Sequence, residues 1–568
     1  MSTHARPLAE WLAAASDDDL SALFRARGVR ADAAWHDFFD AAEGLLDQGS
    51  IAKALAALTR PEAIALVGAA HGEPILDETR DALLARGLLR PDGTPWAEVL
   101  NAIDGRTVPS ASADAPPPAS DASASAHAAE RAFTTLGAVA DLILLARERP
   151  IALLTGGAVN AGERKTLVEN GVPAEAIDAV MAIAVDGRLA AVDERRLRPT
   201  VRAEEWLRSS AAERWDVVAS GFRDALPRGV RTPSGGWISP AGWAGAHPWD
   251  PTWPERATAI AERARLLGLM ADDGSEPAWA AALRTGAEPD SASLASLLPA
   301  EVDRIFLQND LTAIAPGPLA PALDVRLRTI AARESAAQAS TYRFTPESVA
   351  KALVLGETEQ GILEFLGHLS LTGIPQPLQY LVTRAAQRHG LVRVSSDAET
   401  GYTRIESSDE TLVQAMAVDQ ALRPLALSAH ESALTTRVAR DTVYWALVDA
   451  RYPATLVADD GTVLSGERHA PLDAAPPASA DYAPLIATLR AHQGPDADAA
   501  WLDRELEAAV RARALLRVTV GMPDGSARDL VLEATGLGGG RLRGLDRTAD
   551  VERTLPVSSI RAATVIEP

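Results

Sequence analysis

Between Asp303 and Val394 the apolar positions recur with two different periods, and the change of period marks out elements. Two short apolar runs, 304–307 and 311–315, flank the turn-prone pair Asn309-Asp310 and stop at Pro316-Gly317-Pro318, which predicts a hairpin. A polar helix is expected over 319–333, then a strand at Tyr342-Arg343-Phe344. Thr345-Pro346 supplies an N-cap with proline at the first helical position, and Gly356 stops the helix that follows. Thr358 caps the next helix, 359–370, in which Ile362, Phe365, Leu366 and Leu369 fall at i, i+3, i+4 and i+7 and share one apolar face. The run 372–377 reads as a rigid turn, 378–389 as a third helix ended by Gly390, and 391–394 as a strand.

The same reading divides the rest of the chain. Residues 1–106 are a run of short helices, with Leu88 to Trp96 as a small wing after the third, the layout of a winged helix or of a plain three-helix packing module. Residues 107–129 are Ala, Ser, Pro and Asp with too little apolar surface to offset ordering entropy, and read as a flexible linker. A second winged-helix-like unit is expected over 130–300, with a hairpin at 189–201 and Trp-rich loops that pin themselves to a small core or offer aromatic faces to bases. A small α/β module follows over 409–468, with strands at 422–427 and 454–457, a helical stretch at 431–449 and a turn at Asp459-Asp460-Gly461. Residues 469–500 read as a second linker. The tail, 501–568, combines a helix at 502–512 with alternating runs joined by turns such as Pro523-Asp524-Gly525, and predicts a small β-barrel-like domain. The fold class expected is thus multi-domain and mainly α, with small α+β modules, winged-helix-like units and a β-barrel-like tail.

The central unit, 301–408, resembles the N-terminal domain of the XPB family of DNA-repair and transcription helicases. The likeness is carried by Phe306-Leu307-Gln308-Asn309-Asp310-Leu311-Thr312, by Tyr342-Arg343-Phe344-Thr345-Pro346-Glu347-Ser348-Val349, by Gly356 to Ile362, by Thr372-Gly373-Ile374-Pro375, and by His389-Gly390-Leu391-Val392-Arg393-Val394. The whole chain is similar to bacterial helicase-associated proteins that carry such a domain without a motor. The resemblance implies docking on a related domain in a partner at least as strongly as it implies contact with DNA. The tail resembles WYL domains, but it has no Trp-Tyr-Leu triplet, so no ligand-sensing residue carries over.

Charge changes the expectation about partners. The chain has a formal net charge of −22 at pH 7, so overall it repels nucleic acid unless one face is locally basic. Within the central unit Arg384, Arg388, His389 and Arg393 could form such a stripe along the third helix and its strand, as a DNA or partner contact or as an ordinary solvated face. There are no cysteines, no run of about 18 apolar residues and no apolar leader, so neither disulfide chemistry nor a membrane partner is expected and the cytoplasm is the default compartment, with nucleoid association open to a DNA-binding chain.

Catalytic patterns are incomplete. A phosphate cradle needs G-x-x-x-x-G-K-[ST], but in Gly157-Ala158-Val159-Asn160-Ala161-Gly162-Glu163-Arg164-Lys165-Thr166 two residues separate the glycine from the lysine, and Glu163 puts a carboxylate where phosphate would sit. His430-Glu431 opens like a zinc-protease motif, yet Leu434 stands in place of the second histidine. No enzyme activity, cofactor or metal is expected. The sequence therefore points to a non-motor accessory protein of DNA repair or transcription, binding DNA, a helicase or another repair or transcription protein. The alternative is a docking scaffold or regulator with no nucleic-acid contact.

Overall fold

The computed structural model describes residues 5–109, 115–336, 339–397, 400–430, 433–458, 461–464, 468–473, 480–493, 495–522, 526–547 and 549–566. The turn expected at Asp459-Asp460-Gly461 and that at Pro523-Asp524-Gly525 lie partly or wholly outside them, as does Glu431 of the His430-Glu431 pair. The fold is mostly helical and multidomain, with several small sheets.

In the first unit, amphipathic helices bury one apolar stripe each: Leu8 and Leu12, Leu20 and Phe24, Phe38 and Leu45, Ile51 and Leu55 meet in one core. Polar side chains cap two of these helices: Ser16 accepts from the Asp19 amide at 3.1 Å and Asp37 from the Asp40 amide at 2.9 Å. The wing expected after the third helix is only a single bridge between Leu89 and Pro95, so among the described residues this unit carries no sheet.

The stretch expected as the first linker is shorter than its composition suggests. Asp121 caps the long helix Ala122–Glu148, accepting from the Ala124 amide at 2.8 Å, and Ala119 pairs with Glu276. That helix is the spine of the second unit. Around it lie a three-stranded sheet in the order β1-β3-β2, with β1 Ile151–Ala152, β2 Ala190–Asp193 and β3 Arg196–Pro199, and the helices Ile177–Asp186, Ala211–Ala225 and Trp253–Leu266. Trp206, Trp215, Trp237, Trp243, Trp253 and Trp279 are buried in this core. Five of their indole N–H groups reach backbone carbonyls, as Trp215 does to Leu267 at 2.7 Å and Trp253 to Trp243 at 2.7 Å. These rings are structural and offer no face to a ligand.

The central stretch begins with an antiparallel sheet in the order β4-β5-β7-β6, where β4 is Phe306–Leu307, β5 Thr312–Ala315, β6 Ala332–Ala336 and β7 Ser340–Arg343. The helix expected over 319–333 runs only from Pro321 to Ile330; its last predicted residues turn extended and pair with β7. Helices Pro346–Val354, Glu359–Leu369 and Gln376–Arg388 cover this sheet, and Ile305, Leu307, Tyr342, Phe344, Ile362, Leu366, Leu378 and Val382 close its core.

A second sheet follows in the order β10-β11-β9-β8-β12-β13: β8 Val392–Ser396, β9 Thr403–Ser407, β10 Ser428–His430, β11 Ala433–Thr436, β12 Ala454–Val457 and β13 Val463–Leu464. It takes strands from both sides of residue 408, so two units expected to be separate share one sheet. The strand expected at 422–427 is instead a 3-10 turn, Gln420–Leu425, because Asp419 caps it at the Ala421 amide and Pro424 has no N–H to give a ladder. Helix Arg440–Asp449 starts later than expected, since 433–436 is strand β11.

The tail corrects the expected barrel. Strands β14 Leu515–Gly521, β15 Ala527–Gly538, β16 Arg541–Asp546, β17 Val551–Pro556 and β18 Ile560–Ile566 form an open antiparallel sheet in the order β17-β16-β15-β14-β18. Its two edge strands do not pair. Helix Pro495–Ala512 explains this: Leu502, Leu506 and Ala509 form one core with Leu516, Val518 and Leu532, and a sheet whose apolar face is covered by a helix has no need to close on itself.

The stretch expected as the second linker also holds structure. Helix Ala483–Ala491 returns to the start of the chain, where Tyr482, Leu485, Ile486 and Leu489 join the first unit's core with Trp501. Tyr482 Oη donates to the Val29 carbonyl at 2.8 Å, and Arg504 pairs with Asp40 at 2.7 Å. Trp501→Ala should therefore destabilise the first unit, over 450 residues away in sequence, by about 3–5 kcal/mol. Hydrogen exchange of helices 5–14 and 38–46 would report it; unchanged protection there would count against this docking.

Candidate nucleic-acid interface

An open cleft of about 1750 Å³ lies where the long helix Ala122–Glu148, the covering helices of the central unit and the end of helix Arg440–Asp449 converge. Ten arginine and lysine side chains line it against six carboxylates. The chain as a whole has 55 such cations against 77 acids, so the cleft reverses the sign of the molecule locally.

One wall is helix Gln376–Arg388. Leu378 and Val382 face its core, which turns Pro377, Tyr380, Leu381, Arg384, Ala385 and Arg388 into the cleft at i, i+3, i+4, i+7, i+8 and i+11. Three of the four residues singled out in the sequence are therefore brought together. Arg384 and Arg388 are exposed and make no ion pair among the described residues. His389 lines the end of the cleft, where its amide closes the helix on the Ala385 and Ala386 carbonyls, and burial lowers its imidazole pKa below the ordinary value. It is thus neutral at pH 7 and adds no charge to the stripe.

Arg393 is elsewhere. It lies on β8, opposite Glu406 of β9 and Thr455 of β12, and does not line the cleft. Alternation along the strand sends it to a different face from the helix stripe.

Across the cleft, Arg451 occupies a left-handed backbone position, φ 65°, just after helix Arg440–Asp449, and is exposed with no ion pair among the described residues. Trp445 lies nearby, with Arg468 over its ring at 5.6 Å. Other cleft cations are already matched: Arg326 is bidentate on Glu357 at 2.9 Å, Arg147 meets Glu204 at 3.1 Å, and Lys351 pairs with Glu148. Among the described residues that line the cleft, the cations left for an outside anion are Arg384, Arg388 and Arg451. Sequence reasoning missed Arg451 and Tyr380. Tyr380 was findable, as an aromatic one turn before Arg384 on the polar side of an amphipathic helix; Arg451 was not, since only folding brings it near.

The floor of the cleft is an ion network. Asp141, on the long helix and 4% exposed, accepts from Arg328 at 2.7 Å and from Arg333. Asp324 accepts from Tyr342 Oη at 2.6 Å. Burial alone would lower the Arg328 pKa, but Asp141 and Asp324 outweigh it and raise it, so this buried guanidinium stays charged.

The phosphate-cradle-like stretch is occupied by its own side chains. Asn160 caps helix Ala161–Glu169, and Glu163 is held by Arg149 through two bonds of 2.8 and 2.7 Å, while Lys165 points outward toward Glu169. Among the described residues no group of three or more His, Asp or Glu side chains is arranged to hold a metal, and no helix is long and apolar enough to cross a membrane.

The family described as "Helicase conserved C-terminal domain" matches residues 305–431, under a quarter of the chain. That stretch holds the cleft helix Gln376–Arg388 and three strands of the shared sheet, β8, β9 and β10. No curated protein matches the chain.

Proposed function

We propose that this chain is a non-motor, non-catalytic accessory protein of DNA repair or transcription, which holds nucleic acid in the cleft while a helicase or related protein docks beside it. The observation that carries the reading is the local excess of cations, three of them unpaired, in a chain of formal net charge −22. Phosphate contacts supply most of non-specific nucleic-acid affinity, so free arginines concentrated in one concave surface are where it would reside. The helicase-domain match over 305–431 supports a place beside a helicase. The finer likeness of the 306–312 and 342–349 segments to the XPB N-terminal domain supports docking through this same unit.

The test is fluorescence anisotropy with labelled single-stranded, duplex and forked DNA across salt. The expected result is binding that weakens steeply with salt. The combined Arg384→Ala/Arg388→Ala/Arg451→Ala variant should lose about 2 from the log–log salt slope, at roughly 0.7 per phosphate contact on a single strand. Arg393→Ala, outside the cleft, should bind as wild type. Absence of binding at the lowest salt would overturn the nucleic-acid reading and leave a protein-docking scaffold.

A further inference from the structure

We propose that the cleft takes a single strand, with Tyr380 as a base-stacking platform between arginines that hold the backbone; this rests on the nucleic-acid reading above. Tyr380 is 64% exposed, against 41% for Phe306, and makes no hydrogen bond among the described residues. Its helix is anchored by Leu378 and Val382, so the core has no use for the ring. An exposed aromatic that contributes nothing to packing is informative, because leaving its face in water forgoes burial.

The spacing fits the ligand. Tyr380, Arg384 and Arg388 follow one another by four residues, about 6 Å of helix rise per step, along the same lip of the cleft. An aromatic face followed by two unpaired guanidiniums offers a base one surface and the following backbone two cations. Across the gap, Arg451 is a third unpaired cation, and Trp445 with Arg468 over it forms a flat second surface. A duplex would use only the arginines, since its bases are already stacked on one another and present no free face to Tyr380. The ring therefore discriminates strand state, while the arginines do not.

The experiment compares oligo-dT, oligo-U and a duplex of equal length, about 12 to 16 nucleotides, by anisotropy at low salt. Wild type is expected to bind the single strands more tightly than the duplex. Tyr380→Ala should weaken single-strand binding about five- to a hundredfold, the effect of removing one stacked base, and leave duplex binding unchanged. Tyr380→Phe should retain wild-type affinity, because the ring and not the hydroxyl does the stacking. Equal affinity for dT and U supports stacking without 2′-hydroxyl recognition; a preference for U supports the same platform with a sugar contact added. Undiminished single-strand binding by Tyr380→Ala would overturn the inference while leaving phosphate binding standing. Failure of every oligonucleotide to bind would overturn both.

Discussion

Replacing Asp141 by alanine is expected to destabilise the protein by about 3–5 kcal/mol, the cost of leaving a buried charge without its counter-ion. Asp141 is 4% exposed and carries two guanidiniums, Arg328 and Arg333, whose side chains are 15% and 14% exposed. Asp324 lies farther from Arg328, at 3.7 Å, and is already engaged by Tyr342, so it cannot replace the lost carboxylate. Because Asp141 belongs to the spine of the second unit and both arginines to the central unit, the loss should appear as separation of these two bodies. Urea unfolding followed by tryptophan fluorescence reads it, since the second unit holds seven of the twelve tryptophans. Replacing all three charges by apolar residues of similar volume should recover much of the stability, because a well-packed apolar cluster often matches a buried ion triad. A triple variant no better than Asp141→Ala would mean that shape, and not charge pairing, holds the joint.

Glu62→Ala is expected to cost about 3 kcal/mol, again by stranding a buried arginine. Glu62, 3% exposed, accepts from the Thr59 amide at 2.9 Å and from Arg86 at 3.0 Å, and Arg228 reaches it from the second unit. The Arg86 side chain is 8% exposed and bears the penalty, whereas Arg228 is mostly in solvent and contributes little. This joint has a pH signature. Burial alone would raise the Glu62 pKa, but the Thr59 N–H, Arg86 and Arg228 together hold it below the ordinary 4.5. A depressed carboxyl contributes stability that is present above pH 4.5 and is lost as pH falls through the folded value.

His247 sits in the same joint, its Nδ1 at 3.0 Å from the Leu58 carbonyl, with its pKa lowered by burial. The unfolded chain takes up a proton near the ordinary 6.5 while the folded imidazole resists it, so stability declines as pH falls below 6.5. Urea midpoints between pH about 7.5 and 3 should therefore fall in two stages, and Glu62→Gln should lack the lower one, which begins below pH 4.5. An identical acid limb in that variant would assign the loss to other carboxylates.

Much of this molecule was fixed by local sequence. Thr345-Pro346, Thr358 and the spacing of Ile362, Phe365, Leu366 and Leu369 set the helices of the central unit, because caps and periodicity act within a few residues. The stripe Arg384, Arg388, His389 was legible for the same reason, as neighbours on one helix. Other outcomes depended on residues far apart in the chain. Whether the tail sheet closed was settled by the helix Pro495–Ala512 lying on its face. The stretch 480–493 read as linker because its own apolar surface is small, and only the first unit's core gives Tyr482, Leu485 and Leu489 a place to be buried. Arg393 left the stripe because a strand inverts its faces at every residue, and Arg451 entered the cleft from 63 positions beyond Arg388 through the shared sheet. The sequence by itself thus determined helices, caps, turns and total charge, all set by contacts within a turn or two. The tertiary structure alone decided where charge of one sign is concentrated, because that depends on which distant faces pack together and which are left open to solvent.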